Sequence, residues 1–333
     1  WSKLKQDRLS GEFFEYCKIL LGQGVEHIHL VLASQNSIAF RFGQAYDKRR
    51  SGKQGNLHAP CGREEGRGCQ VRNIQDILVI TRRQILLLVR VPAVLIFSTI
   101  QPVMFVLLFR FVFGGSIATD QPGGYVQLLM PGIFVQTVAF TLAGTAAGFA
   151  DDMKKGLIDR FRSLPISRSA LIIGRTLGDS LLNIVVLTVM GITGYIVGWR
   201  PTGGLGNTLL GFLFLLLFGY ALSWVGVLVG LSAKDARVVQ NVSFIVTFPL
   251  TFLSNAFAPT TGMPKALQYF AEWNPVSTMV AACRQLFGLE NEFGATANSW
   301  PSQHPLETSL LYMVVLMVIF IPLSIRKYKN YSN

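Results

Sequence analysis

The stretch at 151–170 reads DDMKKGLIDRFRSLPISRSA, a charged island between two long uncharged, apolar runs. Leu157, Phe161 and Leu164 fall at i, i+4 and i+7, which predicts an apolar stripe on a short helix that Pro165 stops. Lys154, Lys155, Arg160, Arg162 and Arg168 give the island a basic character expected on the cytoplasmic side of a membrane. A stiff amphipathic element of this kind suits the receipt of a push from a soluble partner. The plainer reading is a positively charged loop that only fixes topology.

Outward from the island, charge is sparse. Half of the 333 residues are hydrophobic and 14% are charged, against about a quarter charged in soluble domains. Uncharged runs cover 91–109, 121–150, 180–199, 201–233, 238–264 and 308–325. A helix needs roughly 20 mostly apolar residues to cross the hydrocarbon core, so these runs predict spans at 92–113, 125–149, 171–198, 205–231, 238–257 and 308–325. A soluble protein would have too little polar surface to cover so many apolar helices. The reading is an all-α integral membrane protein with six transmembrane helices.

The net charge of +12 invites a nucleic-acid interpretation, but its placement argues for topology. With the segment before the first span in the cytoplasm, the cytoplasmic side collects Arg72, Arg82, Arg83, Arg90, the basic residues of the island, Lys234, Arg237, Arg326, Lys327 and Lys329. The outer segments hold only Arg200, Lys265 and Arg284. This positive-inside bias puts both termini in the cytoplasm and assigns the basic charge to contact with anionic lipid. Nucleic acid is not an expected partner.

Residues 72–91, RNIQDILVITRRQILLLVRV, predict an amphipathic helix with Arg72, Asp76, Arg83 and Arg90 beside an apolar face. Such a helix, with Arg82, Arg83 and Arg90 as its basic groups, is expected to lie in the inner interface as an anchor; a flanking helix with solvated charges is the alternative. Residues 263–289 contain two short apolar helical stretches broken at Asn274-Pro275. Each is too short to span, so a re-entrant hairpin in the outer leaflet is expected, with Asn274 and Pro275 at its tip. Residues 1–70 are polar and mixed in charge, and are expected to be a disordered or non-native extension.

Small residues stand four apart at Ala143/Ala147, Gly144/Gly148, Gly174/Gly178, Gly194/Gly198 and Gly226/Gly230, a spacing that permits close helix approach in lipid. Near the start of the third span, Arg175 and Asp179 are also four apart, where they can pair and face water or a partner.

Motifs for chemistry are scarce. Nothing matches GxxxxGK[ST], GxSxG or HExxH, and Cys17, Cys61, Cys69 and Cys283 form no CxxC. His27, His29 and His58 fit no metal spacing with them, so no metal site is expected. Glu272, Glu290, Glu292, Glu307 and His304 could serve a membrane-bound transferase, but their scatter suits a solvated outer loop. No acidic residue sits at a convincing midplane and no internal repeat is visible, which weakens a secondary carrier or channel.

The run GLIDRFRSLPISR at 156–168, followed by Gly174, Arg175 and Asp179, resembles the membrane subunits of ABC type-2 exporters, and among them the daunorubicin-resistance permeases of actinobacteria. FLSNAFAP at 252–259, with Met263-Pro264 and AEWNP at 271–275, agrees. The similarity covers about 72–330, and residues 1–70 look longer than the family's usual leader. The resemblance implies that the island is a coupling helix, with Leu157, Phe161 and Leu164 filling an apolar groove on a separate P-loop ATPase. Asp159, Arg160, Arg162 and Pro165 belong to the same element, the arginines facing acidic rim residues. It further implies a pair of permeases in a bacterial cytoplasmic membrane, exporting a hydrophobic or amphipathic drug, polyketide or lipid. The chain would bind no cofactor itself; ATP and Mg would act through the ATPase.

Overall fold

Alternating long apolar runs and short breaks lead to a helical architecture. The computed structural model describes Ile77, Ile80, Thr81, Gln84 and residues 92–113, 124–156, 168–232, 235–257, 260–289 and 299–331, and among these there is no strand. The helices in chain order are α1 (Pro92–Leu108), α2 (Tyr125–Lys154), α3 (Arg168–Val197), α4 (Gly204–Gly230), α5 (Ala236–Phe252), α6 (Lys265–Trp273), α7 (Pro275–Leu286), α8 (Trp300–Gln303) and α9 (Pro305–Tyr331). A π-helical turn, Phe109–Phe113, follows α1. Ile77, Ile80, Thr81 and Gln84 are also helical.

Among the described residues, five helical segments are long and apolar enough to cross a membrane: Leu95–Val112, Tyr125–Lys154, Leu171–Val197, Gly204–Gly230 and Pro305–Tyr328. The protein is therefore a multi-pass membrane protein. The remaining long candidate, α5, has 17 residues, about 26 Å at 1.5 Å per residue. The sequence predicts a span to 257, but the helix stops at Phe252 and the chain turns through Leu253–Phe257. Pro249 lies in its last turn, and the Leu253 amide closes the end on the Pro249 carbonyl.

Helix α2 is the centre. In its most apolar 18-residue stretch 78% of the residues are buried, against 11% in the α1 segment, because it packs on α1, α3, α4, α5 and α7. Its first fourteen residues are apolar on nearly every face, as a helix surrounded by others must be. The small residues identified in the sequence explain several of the close approaches. A Cβ at Gly226 would lie 2.7 Å from the Leu142 carbonyl oxygen, and one at Gly230 2.8 Å from the Phe149 Cβ, so α4 reaches the α2 backbone there. Gly132 lies directly against the Ala256 backbone. Gly144, in contrast, faces open space.

Side chains set the helix ends. Gly156, at φ +63°, turns the chain out of α2 after its amide bonds the Met153 carbonyl at 3.0 Å. The Asp235 carboxylate accepts the Arg237 amide at 2.9 Å and starts α5. Exposed apolar side chains are abundant on α1, α3, α5 and α9, as expected where lipid replaces water as the solvent.

Candidate functional site

The sequence singles out Gly174, Arg175 and Asp179, and the structure brings them together with the last turns of α2. The Arg175 guanidinium forms an ion pair with the Asp152 carboxylate. It lies 4.7 Å from the centre of the Phe149 ring, a cation–π contact. It also passes directly over Gly148, where any larger residue would collide with it. One turn further along α3, the Asp179 carboxylate accepts a 2.7 Å hydrogen bond from the Thr145 hydroxyl, which is itself buried. Arg175 and Asp179 also lie in each other's field.

Two ties therefore join α2 to α3 in antiparallel order, 152 to 175 and 145 to 179. The Asp152 and Arg175 side chains are 26% and 15% exposed, so water screens this pair less than it screens a surface pair. A charge within a membrane helix needs such a partner, since an isolated one costs about 2.5–3.5 kcal/mol on insertion scales.

The neighbouring face of α3 is held as well. A Cβ at Gly174 would lie 2.8 Å from Ile80, and one at Gly178 2.6 Å from Gln84, while the Thr81 hydroxyl lies 3.3 Å from the Gly174 carbonyl. The Gly174/Gly178 pair thus seats the helical residues Ile80, Thr81 and Gln84. The sequence indicates that this pair permits close packing without saying against what.

A second polar centre lies at the other end of α2. Asn274 caps α7, its Oδ1 accepting the Val276 amide at 2.9 Å, and Pro275 opens the helix where no amide is needed. The Asn274 Nδ2 donates to the Leu250 carbonyl at 2.6 Å and the Leu253 carbonyl at 3.3 Å, at the end of α5. The predicted break at Asn274-Pro275 therefore separates two short helices and also anchors them to α5.

Nearby, the sequence counts Arg284 among outer charges, but the structure buries its side chain completely in α7. Its Nη2 donates to the carbonyls of Leu128 at 2.9 Å, Asn255 at 2.9 Å and Ala256 at 3.3 Å, and its Nε to Leu128 at 3.3 Å. The Tyr125 hydroxyl adds a 3.0 Å bond to the Phe257 carbonyl. The signal in the sequence is a lone charge inside AACRQL, a helical stretch with no acid in reach along the helix. The sequence likewise does not single out Asp152 and Gly148 as neighbours of Arg175, or Thr145 as the partner of Asp179.

The island residues Leu157, Asp159, Arg160, Phe161, Arg162, Leu164 and Pro165 lie outside the described residues, as do Arg82, Arg83, Arg90 and residues 1–70. Among the described residues no group of acidic, His or Cys side chains could hold a metal.

The described site is a bundle of membrane helices with charged ties between the end of α2 and the start of α3. The family model described as ABC-2 type transporter matches residues 75–287. The chain belongs to the ABC-2 type transporter family. It is thus a permease component of an ABC transporter, and not an enzyme. It is 34% identical over 241 residues to the daunorubicin resistance ABC transporter permease protein DrrB1 of Streptomyces coeruleorubidus, covering 72% of this chain and 81% of that one. It is 26% identical over 191 residues to the probable doxorubicin resistance ABC transporter permease protein DrrC of Mycobacterium tuberculosis, covering 56% and 67%. The putative transport permease ycf38 of Cyanophora paradoxa is 25% identical over 217 residues, covering 64% and 74%. A separate family model, described as SMODS-associated and fused to various effectors sensor domain, matches residues 1–53. That match covers far less than half of the chain and assigns it no second family.

Proposed function

We propose that this ABC-2 permease exports a hydrophobic or amphipathic compound from a bacterial cell, driven by a separate P-loop ATPase. The single observation that carries the reading is the family match across 75–287, which includes the island between α2 and α3. The relatives named for daunorubicin and doxorubicin resistance point to a drug-like substrate, with a polyketide or lipid as related possibilities.

In this reading the chain crosses the cytoplasmic membrane six times, α5 with its following turn supplying the sixth crossing. Both termini are cytoplasmic, and the basic helix at 72–91 lies in the inner interface. Helices α6 and α7 form the re-entrant outer hairpin, consistent with their lengths of 9 and 12 residues. Two permeases pair, and each receives an ATPase on the island. Leu157, Phe161 and Leu164 fill the groove, while Asp159, Arg160 and Arg162 meet its polar rim before Pro165 ends the element. ATP and Mg stay with the ATPase, whose closure moves the island and reopens the cavity between permeases on the other side.

The test is purification of the tagged permease from its native host together with daunorubicin efflux from whole cells. A P-loop ATPase is expected to co-purify, and efflux is expected to stop with vanadate. Phe161→Asp should abolish efflux and ATPase capture while the permease still inserts in the membrane. Vanadate-resistant efflux driven by a proton gradient would replace this reading with a secondary carrier.

A further inference from the structure

We infer that Arg175 and Asp179 are positioning residues that make α2 and α3 move as one lever, through the paired ties Asp152–Arg175 and Thr145–Asp179. The inference rests on the exporter reading, since it assigns a route for a push delivered at the island.

The island joins the end of α2 to the start of α3. A push on a connection between two helices can be absorbed locally, by opening the angle between their ends. One cross-link would not prevent this, because two rods joined at a point still pivot about it. Two cross-links do. Thr145 and Asp152 are separated by about 10 Å along α2, and Arg175 and Asp179 by about 6 Å along α3, at 1.5 Å per residue. The antiparallel order of the ties, 152 to 175 and 145 to 179, blocks both sliding and pivoting.

Both ties are more than incidental contacts. The guanidinium must cross the α2 surface to reach Asp152, and it does so in the space left by Gly148, over the face of Phe149. A longer side chain at 148 would close that passage. The Thr145 hydroxyl is buried, so its bond to Asp179 has little water competing for it. The other face of α3 rests through Gly174 and Gly178 on Ile80 and Gln84, and Gly226 and Gly230 of α4 rest on α2 at Leu142–Phe149. The tied pair is therefore embedded in close backbone packing, which resists bending and passes displacement along the helix axes.

The experiment measures distances between spin labels in nanodiscs holding the permease with its co-purified ATPase. Lys155 and Val189 carry labels that report the angle between α2 and α3, and Lys155 with Leu323 reports α2 against α9; all three positions are at least partly exposed. Cys17, Cys61 and Cys69 are replaced, and the buried Cys283 stays. Between the nucleotide-free and ATP–vanadate states, the Lys155–Val189 distance should change by less than about 2 Å while the Lys155–Leu323 distance shifts by more. The isosteric pair Thr145→Val with Asp152→Asn should leave assembly and ATP hydrolysis in place. It should broaden the Lys155–Val189 distribution by more than about 5 Å and reduce the Lys155–Leu323 shift. Asp152→Glu, which retains the ion pair, should match the wild type. An unchanged distribution in the double variant overturns the inference, as does a wild-type hinge between α2 and α3. Absence of ATP-dependent movement at every pair overturns the exporter reading itself, and the inference with it.

Discussion

Helix α2 is held by an arginine near each end, and the two arginines are satisfied in different ways. Arg175 meets carboxylate and ring at the α3 side, with some of its surface still open to solvent. Arg284 is fully enclosed and donates to main-chain carbonyls of α2 and of the turn after α5. Leu128 and Asp152, their respective contacts on α2, are about 36 Å apart along the axis at 1.5 Å per residue. Carbonyls belong to the backbone and cannot rearrange without unfolding something. Side-chain partners can be exchanged. The Arg284 end is therefore built as a joint of main-chain carbonyls, and the Arg175 end as a side-chain tie that a single substitution can open.

The comparison is broken most directly at Arg284. Arg284→Leu removes every donor to Leu128, Asn255 and Ala256, and should destabilise the protein by about 3–5 kcal/mol, the range for stripping a buried charged network of one member. The expected outcome is a large loss of folded permease in detergent, seen as aggregation by size-exclusion fluorescence. Arg284→Lys keeps the charge but loses the planar fork, and should recover only part of the yield. If Arg284→Leu melts like the wild type, the joint does not exist.

A smaller contrast separates backbone from side-chain contacts at the glycines. Gly132→Ala forces a methyl into the Ala256 main chain, which cannot yield, and should cost about 2–3 kcal/mol. Gly194→Ala, on α3, meets the Met130 Cε at 2.5 Å, the end of a flexible side chain that can shift, and should cost about 1 kcal/mol. Thermal melts of the two variants, side by side, give the ordering. Asn274→Ala falls near the second, at about 1–2 kcal/mol, because it removes the α7 cap and two bonds to the end of α5.

Much of this arrangement could be read in the sequence because lipid imposes simple rules. The long apolar helices, the break at Asn274-Pro275 and the glycine pairs on α3 and α4 all follow from length, proline and side-chain size. Partners were harder to see. Arg175 and Asp179 stand four apart and suggest a pair with each other, yet each finds its tie on α2, at Asp152 and Thr145. Sequence spacing reports neighbours on one helix and is blind to the helix packed beside it. The burial of Arg284 is hidden in the sequence for the same reason: the carbonyls that enclose it belong to other elements. The uncharged run carries the predicted end of α5 to 257, but Leu253–Phe257 is a buried bend in which the Ser254 hydroxyl donates to the Thr251 carbonyl and the Asn255 amide to the Ser277 hydroxyl.

The smallest expected effect makes the sharpest test of the Arg175 tie, because two adjacent aspartates serve as each other's control. Asp151 pairs with Lys155 at 2.5 Å, one turn along the same helix, with side chains 45% and 62% exposed. Asp152 pairs with Arg175 across helices and is less exposed. Both substitutions to asparagine remove one negative charge from the same turn of α2, so any general effect of charge on topology or lipid contact is shared. Asp152→Asn leaves a partly buried guanidinium without its carboxylate and should cost about 1–2 kcal/mol. Asp151→Asn should change stability by less than about 0.5 kcal/mol, the range for an exposed i,i+4 pair, and that change should vanish in high salt. Melting temperatures measured at low and high ionic strength distinguish the two. Equal, salt-sensitive losses at both positions would mean that the Arg175 tie is an ordinary surface pair, and that α2 is firmly held at one end only.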